Sequence, residues 1–187
     1  MAITAKETRE LLCRHGSCAP QGPADWTGPF QLPESLLQFY SGVGPKDVCI
    51  EGFGNPTTIH SLKKLWERQA GYRWNGLTNE PIGDWPENWI VVADEGADPY
   101  IFDTETTRIL FAQHGSGEWD AGEIYLDINT MAACIATLGC VILDSEDFED
   151  DDCNINPDCR IDAIDRLAKI LGSKTKAETI VETAGWS

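Results

Sequence analysis

The chain has 187 residues, enough for one domain that buries about 70% of its unfolded surface. Its 14 basic and 31 acidic residues give a formal charge of −17, which argues against a nucleic-acid partner, since that partner needs a basic footprint. No apolar run approaches the roughly 20 residues of a membrane helix, and MAITAKETRE holds no apolar signal core, so the expectation is a cytoplasmic protein with no membrane partner.

Seven cysteines, an odd number, do not look like a disulfide framework in a chain of this size. Cys134 on an apolar helical face and Cys49 in a strand are expected to be buried, reduced thiols.

In chain order, residues 5–15 read as a helix with Leu11 and Leu12 as its apolar contacts. Residues 16–31 form a Gly- and Pro-rich loop pinned by Trp26 and Phe30. A second helix follows, with Pro33 in its first turn, Leu36, Phe39 and Tyr40 at helical spacing, and Gly42 and Gly44 as its stop. Residues 47–51 predict a short strand. Ser61 is placed to cap a helix to about residue 70, with Leu62, Leu65, Trp66 and Gln69 on one stripe.

The most informative stretch is GDWPENWIVVADEGADPYIFDTETTRILF, residues 83–111. Residues 89–93 are apolar and β-branched, as in a strand buried on both faces. A polar loop over 94–99 leads to a strand at 100–102, and a turn at 103–106 to a strand at 109–111. Connections this short force antiparallel pairing, because a parallel return needs a crossover of about a dozen residues or more. Residues 115–117 mark a further turn, and 118–126 add one or two strands. Asp127 or Asn129 then caps a helix with Met131, Cys134, Ile135 and Leu138 on one face and Gly139 as its end. Asn156 and Pro157 open the last clear helix, with Ile161, Ile164, Leu167, Ala168 and Leu171 on its stripe and Gly172 after it. The final fifteen residues are either a short helix or a loose tail. Strands in the middle with helices on either side give one α+β domain over 1–187, with a twisted, mainly antiparallel sheet, an acidic loop over 144–159 and a C-terminal helix over 160–172.

Leu32-Pro33, Leu36, Phe39-Tyr40, Gly42 and Gly44 resemble the leucine-proline helix motif of the SUKH superfamily, which includes Smi/Knr-type regulators. Trp85, the strand ending Ala93-Asp94-Glu95-Gly96, and the strand from Asp98 to Asp103 resemble the second half of its signature. The likeness covers residues 32–143. Ala97-Asp98-Pro99 departs from the more usual Gly-Asp, and Asn129-Thr130-Met131 matches the late helix motif poorly. The resemblance implies helices flanking a mainly antiparallel sheet. It further implies a non-catalytic immunity protein that binds and silences a polymorphic toxin, often a nuclease, delivered between competing cells. A scaffold with an endogenous partner is the alternative on the same fold. Neither role brings a catalytic residue or a cofactor.

Seven of the nine residues 144–152 are carboxylates: Asp144, Glu146, Asp147, Glu149, Asp150, Asp151 and Asp152. They are the expected contact for a basic secreted toxin domain, against the plainer reading of a solvated loop. Asp150, Asp152, Asn154, Asn156 and Asp158 alternate as calcium ligands do, but Ile155 and Ile161 stand where an EF-hand needs glycine and glutamate. Cys13, His15 and Cys18, with Cys153 and Cys159, are a zinc set only if the two chain ends meet; unligated thiols are the simpler reading. Gly52-Phe53-Gly54 lacks the third glycine and the βαβ order of a dinucleotide site, and His114-Gly115-Ser116-Gly117 reads as a turn. His15 and His60 have no evident partners in sequence. Among the seven tryptophans, Trp66, Trp85 and Trp89 are expected in the core. Trp26, Trp74 and Trp119 lie near glycines and charges; Trp74 and Trp119 are carried as candidate anchors for a protein partner, against the plainer reading of all three as core or loop-pinning rings.

Overall fold

The computed structural model describes residues 3–115, 118–150, 152 and 154–186. At its centre is β3 (Trp89–Glu95), paired antiparallel with β4 (Asp98–Asp103), which pairs in turn with β5 (Ile109–Phe111). The three-stranded meander expected from sequence is therefore present. Its first connection is tighter than expected: Glu95 pairs with Asp98, leaving only Gly96 and Ala97 as the turn, with Gly96 at φ +67°. A residue without Cβ suits that left-handed position.

Three more strands complete the sheet: β1 (Val48–Ile50), β2 (Thr57–Ile59) and β6 (Gly122–Tyr125). Neighbours in the sheet are neighbours in the chain, β1 to β6 in order, and every pair is antiparallel. β2 has no counterpart in the expectations, because three residues after Pro56 carry too short a pattern to stand out. In β1 burial alternates, so Val48 and Ile50 point inward and Cys49 is exposed rather than buried. The turn expected over 115–117 reaches Ser116 and Gly117, which lie outside the described residues.

The meander is buried on both faces. Ile90, Val92, Tyr100, Phe102 and Ile109 join the main core with the helices. Val91, Ile101 and Ala112 face the other way, under Trp85, with Tyr72, Trp89 and Trp119 packed around them. The tryptophan-bearing connection thus covers the face that no helix covers.

That connection also explains why residues 61–70 are not the expected helix. β2 pairs only with 93–95 of β3, and the His60 N–H reaches the Val92 carbonyl at 3.0 Å. Beyond that point the Gln69 side chain takes over. Its Oε1 accepts from the Val91 N–H at 2.9 Å, and its Nε2 donates to the Val91 carbonyl at 2.9 Å. One carboxamide stands in for a strand residue. Ser61, the expected cap, instead gives its N–H to the Asp47 carboxylate at 3.1 Å, and its hydroxyl to the same group. The segment winds through turns into a 3-10 helix, Glu67–Gln69, while Leu62 and Leu65 stay fully buried.

Five helices lie among the described residues: α1 (Ala5–Leu12), α2 (Glu34–Gly42), α3 (Ile128–Asp144), α4 (Pro157–Leu171) and α5 (Lys174–Thr183). A Thr4–Glu7 capping box starts α1, and Pro33 sits at the N-cap of α2, just outside the first turn where it was expected. Asp127 caps α3 by accepting the Thr130 N–H at 2.8 Å. α3 is apolar nearly all round, as a helix enclosed by others must be, and it touches α1, α2, α4, β1 and β6. Gly139 does not end it. A Cβ there would collide with Ile50 and lie 2.7 Å from His15 Cε1, so this glycine marks a close approach rather than a stop.

α4 begins and ends as expected, with Gly172 in the left-handed conformation at φ +66°. Ile161 is 56% exposed, on the flank of a buried stripe made by Ala163, Ile164 and Leu167. Residues 173–186 are no tail: Ser173 caps α5, which packs on α4, and Trp186 is 1% exposed. The C-terminal region is thus two helices, and the acidic connection is shorter than 144–159, since Asp144 ends α3 and Pro157 opens α4. No helix among the described residues is long and apolar enough to cross a membrane.

Candidate functional site

The connection from α3 to α4 carries the acidic run, and its structure comes from its own polar groups. The Asp150 carboxylate accepts from the Asn154 N–H at 2.8 Å and the Asp152 N–H at 3.0 Å. The Asp150 N–H donates to the Asn154 carbonyl at 2.9 Å, and the Asn156 N–H to the Phe148 carbonyl at 2.8 Å. Phe148 turns inward, its ring centroid 5.0 Å from that of Trp186 and 6.4 Å from that of Phe53. The sequence picture of a solvated run is thereby refined: the backbone is tied down at its centre while Glu146, Asp147, Glu149, Asp150 and Asp152 are exposed. The Asn154 N–H and side chain hold the Asp150 carboxyl below its ordinary pKa. Asp151, and Cys153 beside it, lie outside the described residues.

Asp144 behaves differently from the rest of the run. Its carboxylate lies 2.6 Å from an Arg14 nitrogen and 2.8 Å from an Arg166 nitrogen, and Arg166 is also bridged to Asp162 at 2.7 Å. The hydrogen bond from Arg14, then that from Arg166, holds the Asp144 carboxyl well below the usual carboxylate range. Its charge is committed to joining the end of α3 to α4 and to the turn that follows α1.

The alternating Asp and Asn ladder is spent on loop and cap bonds. Asn156 caps α4, its Oδ1 accepting the Asp158 N–H at 2.9 Å, and Asp150 serves the turn. Among the described residues no group of three or more His, Cys, Asp or Glu is arranged to hold a metal ion. His15 does not turn to Cys13 and Cys18. Its Nε2 lies 2.9 Å from the Ala136 carbonyl and 3.4 Å from Cys140 Sγ. A proton on Nε2 shared with that carbonyl leaves no lone pair there to take the thiol's proton, and burial pushes the Cys140 thiol up. The pair is a packing contact. Burial, with a hydrogen bond to Cys13, pushes the Cys18 thiol up to about 12.

Two histidine–aspartate pairs escaped sequence reasoning, because each joins residues from different strands or loops. His60 is fully buried with Nε2 2.8 Å from Asp94 Oδ2, but the approach is off-line and neither ring nitrogen makes an aligned hydrogen bond. On the surface, His114 Nδ1 lies 2.6 Å from Asp98 Oδ1. Only the β2–β3 register would have revealed the first of these. No nucleophile is hydrogen-bonded to either pair among the described residues.

The tryptophans form two clusters, and the two candidate anchors fall in different ones. Trp74 packs against Trp66 with centroids 4.7 Å apart and ring planes tilted by 45°, and Trp66 meets Trp26 at 6.0 Å and Phe30 at 5.7 Å. The Arg73 guanidinium lies 5.6 Å from the Phe30 centroid, and its Nη2 donates to the Trp89 carbonyl at 2.7 Å. Trp119 belongs to the second cluster, 5.4 Å from Trp85 and 5.6 Å from Tyr72. Both anchors are half-buried, so each helps to pin its connection as well as showing part of a ring to solvent. Trp85 is buried as expected, whereas Trp66 and Trp89 are half-buried. No family model, no curated protein and no solved structure matches this chain.

Proposed function

We propose that this chain is a non-catalytic immunity protein, which binds a basic toxin domain and blocks it by occupying its active cleft. The observation that supports this reading most is the acidic loop. Glu146, Asp147, Glu149, Asp150 and Asp152 are exposed, yet the loop is held by internal hydrogen bonds and the Phe148 anchor, so less ordering entropy is lost on docking. A charge of −17 steers a cationic partner toward it. The toxin part of the reading comes from the SUKH likeness of residues 32–143.

The test is titration calorimetry of the full chain against the toxin domain encoded beside its gene, at low and high salt. One-to-one binding that weakens with salt is expected. The combined variant Glu146→Gln, Asp147→Asn, Glu149→Gln, Asp150→Asn should weaken it by about ten-fold or more. Native-like binding by that variant, or no binding by the native chain, defeats the proposal. The aromatic ledge around Trp66 and Trp74 favours a second reading, a scaffold for an endogenous partner. Binding of a host protein that survives loss of the carboxylates but fails in Trp74→Ala would support it.

A further inference from the structure

β6 is the last strand of the sheet, and only β5 lies beside it. Among the described residues no backbone hydrogen bond joins Gly122–Tyr125 to any other element. Across from this open edge stand the end of α4 and the exposed side of α5, and between them runs a groove of about 620 Å³. Phe111, Ile124 and Ile180 line it, Leu126 is 50% exposed at its mouth, and Thr179 and Thr183 form the helical wall. An open edge of this kind is ordinarily guarded by proline, lysine or a bulge. Gly122-Glu123-Ile124-Tyr125 carries neither proline nor lysine, and its guards are the Glu123 charge and the register shift at Ile124.

We propose that this groove receives an extended segment of a cationic protein, which adds to β6 as a seventh strand. The inference rests on the reading that the partner is a basic polypeptide, and it names how that partner is held. A strand edge offers alternating N–H and C=O groups that another extended backbone answers in full, whereas a small apolar ligand leaves them to water. Charge selects among polypeptides. A second copy of this chain brings another −17 to the same edge, while a basic segment meets Glu123, which Arg108 approaches to 4.0 Å, and Asp127, which also caps α3, on the strand side of the groove. Lys176, on the helical side, sets the orientation by repelling basic side chains from that wall.

The probe is a peptide of about ten residues alternating lysine and valine, added to the full chain and read by amide hydrogen exchange. Exchange at Gly122–Tyr125 is expected to slow by about ten-fold or more. The same peptide N-methylated at alternate amides, and the variant Thr179→Trp, which fills the groove from an exposed position, should each abolish that protection while the far-ultraviolet spectrum of the chain is unchanged. Equal protection by the N-methylated peptide, effects confined to residues 146–152, or a dimer in the absence of peptide would each overturn the inference. A toxin domain that binds in calorimetry without protecting β6 sinks this inference alone. Failure of every basic protein to bind sinks the functional reading with it.

Discussion

Replacing Gln69 by methionine keeps its volume and removes its hydrogen bonds. Gln69 is 1% exposed, and its carboxamide serves both backbone groups of Val91 and, at 2.7 Å, the Leu65 carbonyl. Val91 and Leu65 are fully buried, so no water replaces the lost partner. An unsatisfied buried group costs about 1–3 kcal/mol, so the two Val91 groups alone predict a loss of about 2–6 kcal/mol. That is a large share of the roughly 5–15 kcal/mol that holds a domain folded. Urea unfolding followed by tryptophan fluorescence should show the midpoint falling by about 1–2 M, and the Val91 amide should exchange faster. Gln69→Glu adds a sign test. An ionised carboxylate can accept from the Val91 N–H but cannot donate to either carbonyl. Burial beside those oxygens raises the folded pKa of the new carboxyl above its unfolded value. Its penalty is then full above the folded pKa and relieved as pH falls through it. A midpoint shift of less than about 0.3 M for Gln69→Met would refute the strand-surrogate account.

Gly139→Ala should destabilise by about 1–3 kcal/mol even though alanine is the better helix former by about 1 kcal/mol, because the new methyl strikes Ile50 and His15; a rise in thermal midpoint would contradict the close approach. Asp144→Asn should cost about 1 kcal/mol, discounted for a side chain 38% exposed, as read by urea unfolding. Its carboxyl is depressed in the folded state, so the native chain's advantage is present above the unfolded carboxylate pKa and fades as pH falls through the folded one. Trp186→Ala should cost about 3–5 kcal/mol in the same assay and speed exchange at the Asp150 and Asn156 amides, because Phe148 loses the ring it packs on.

What the sequence showed clearly was what depends on neighbours along the chain. The apolar run at 89–93 and the turn residues after it gave the meander, and the spacing of Met131, Cys134, Ile135 and Leu138 gave α3. What it hid depends on residues far apart. Gln69 falls on a helical stripe with Leu62 and Leu65, and only the neighbouring strand shows that its amide replaces a backbone. Ser61 looks like a cap until Asp47 claims it. Gly139 carries the same letter whether it ends a helix or admits Ile50. The acidic run was plain as composition, but the arginines that withdraw Asp144 from it come from the turn after α1 and from α4. Trp74 and Trp119 look alike in sequence, each a candidate anchor beside glycines and charges, yet they belong to separate clusters.

A sheet whose spatial order repeats its chain order has a consequence for synthesis. Each strand can zip onto the one made just before it, without a crossover, so the six strands can assemble while the ribosome still holds the rest. The helix that roofs them, α3, is translated only afterwards. Until it emerges, the sheet face that carries Ile90, Phe102 and Ile109 is only partly covered, by α1 and α2, and the nascent chain is a client for a chaperone. Ribosome-stalled chains ending before Ile128 should therefore cross-link to a holdase, and the full chain, in which α4 and α5 have closed over α3, should not.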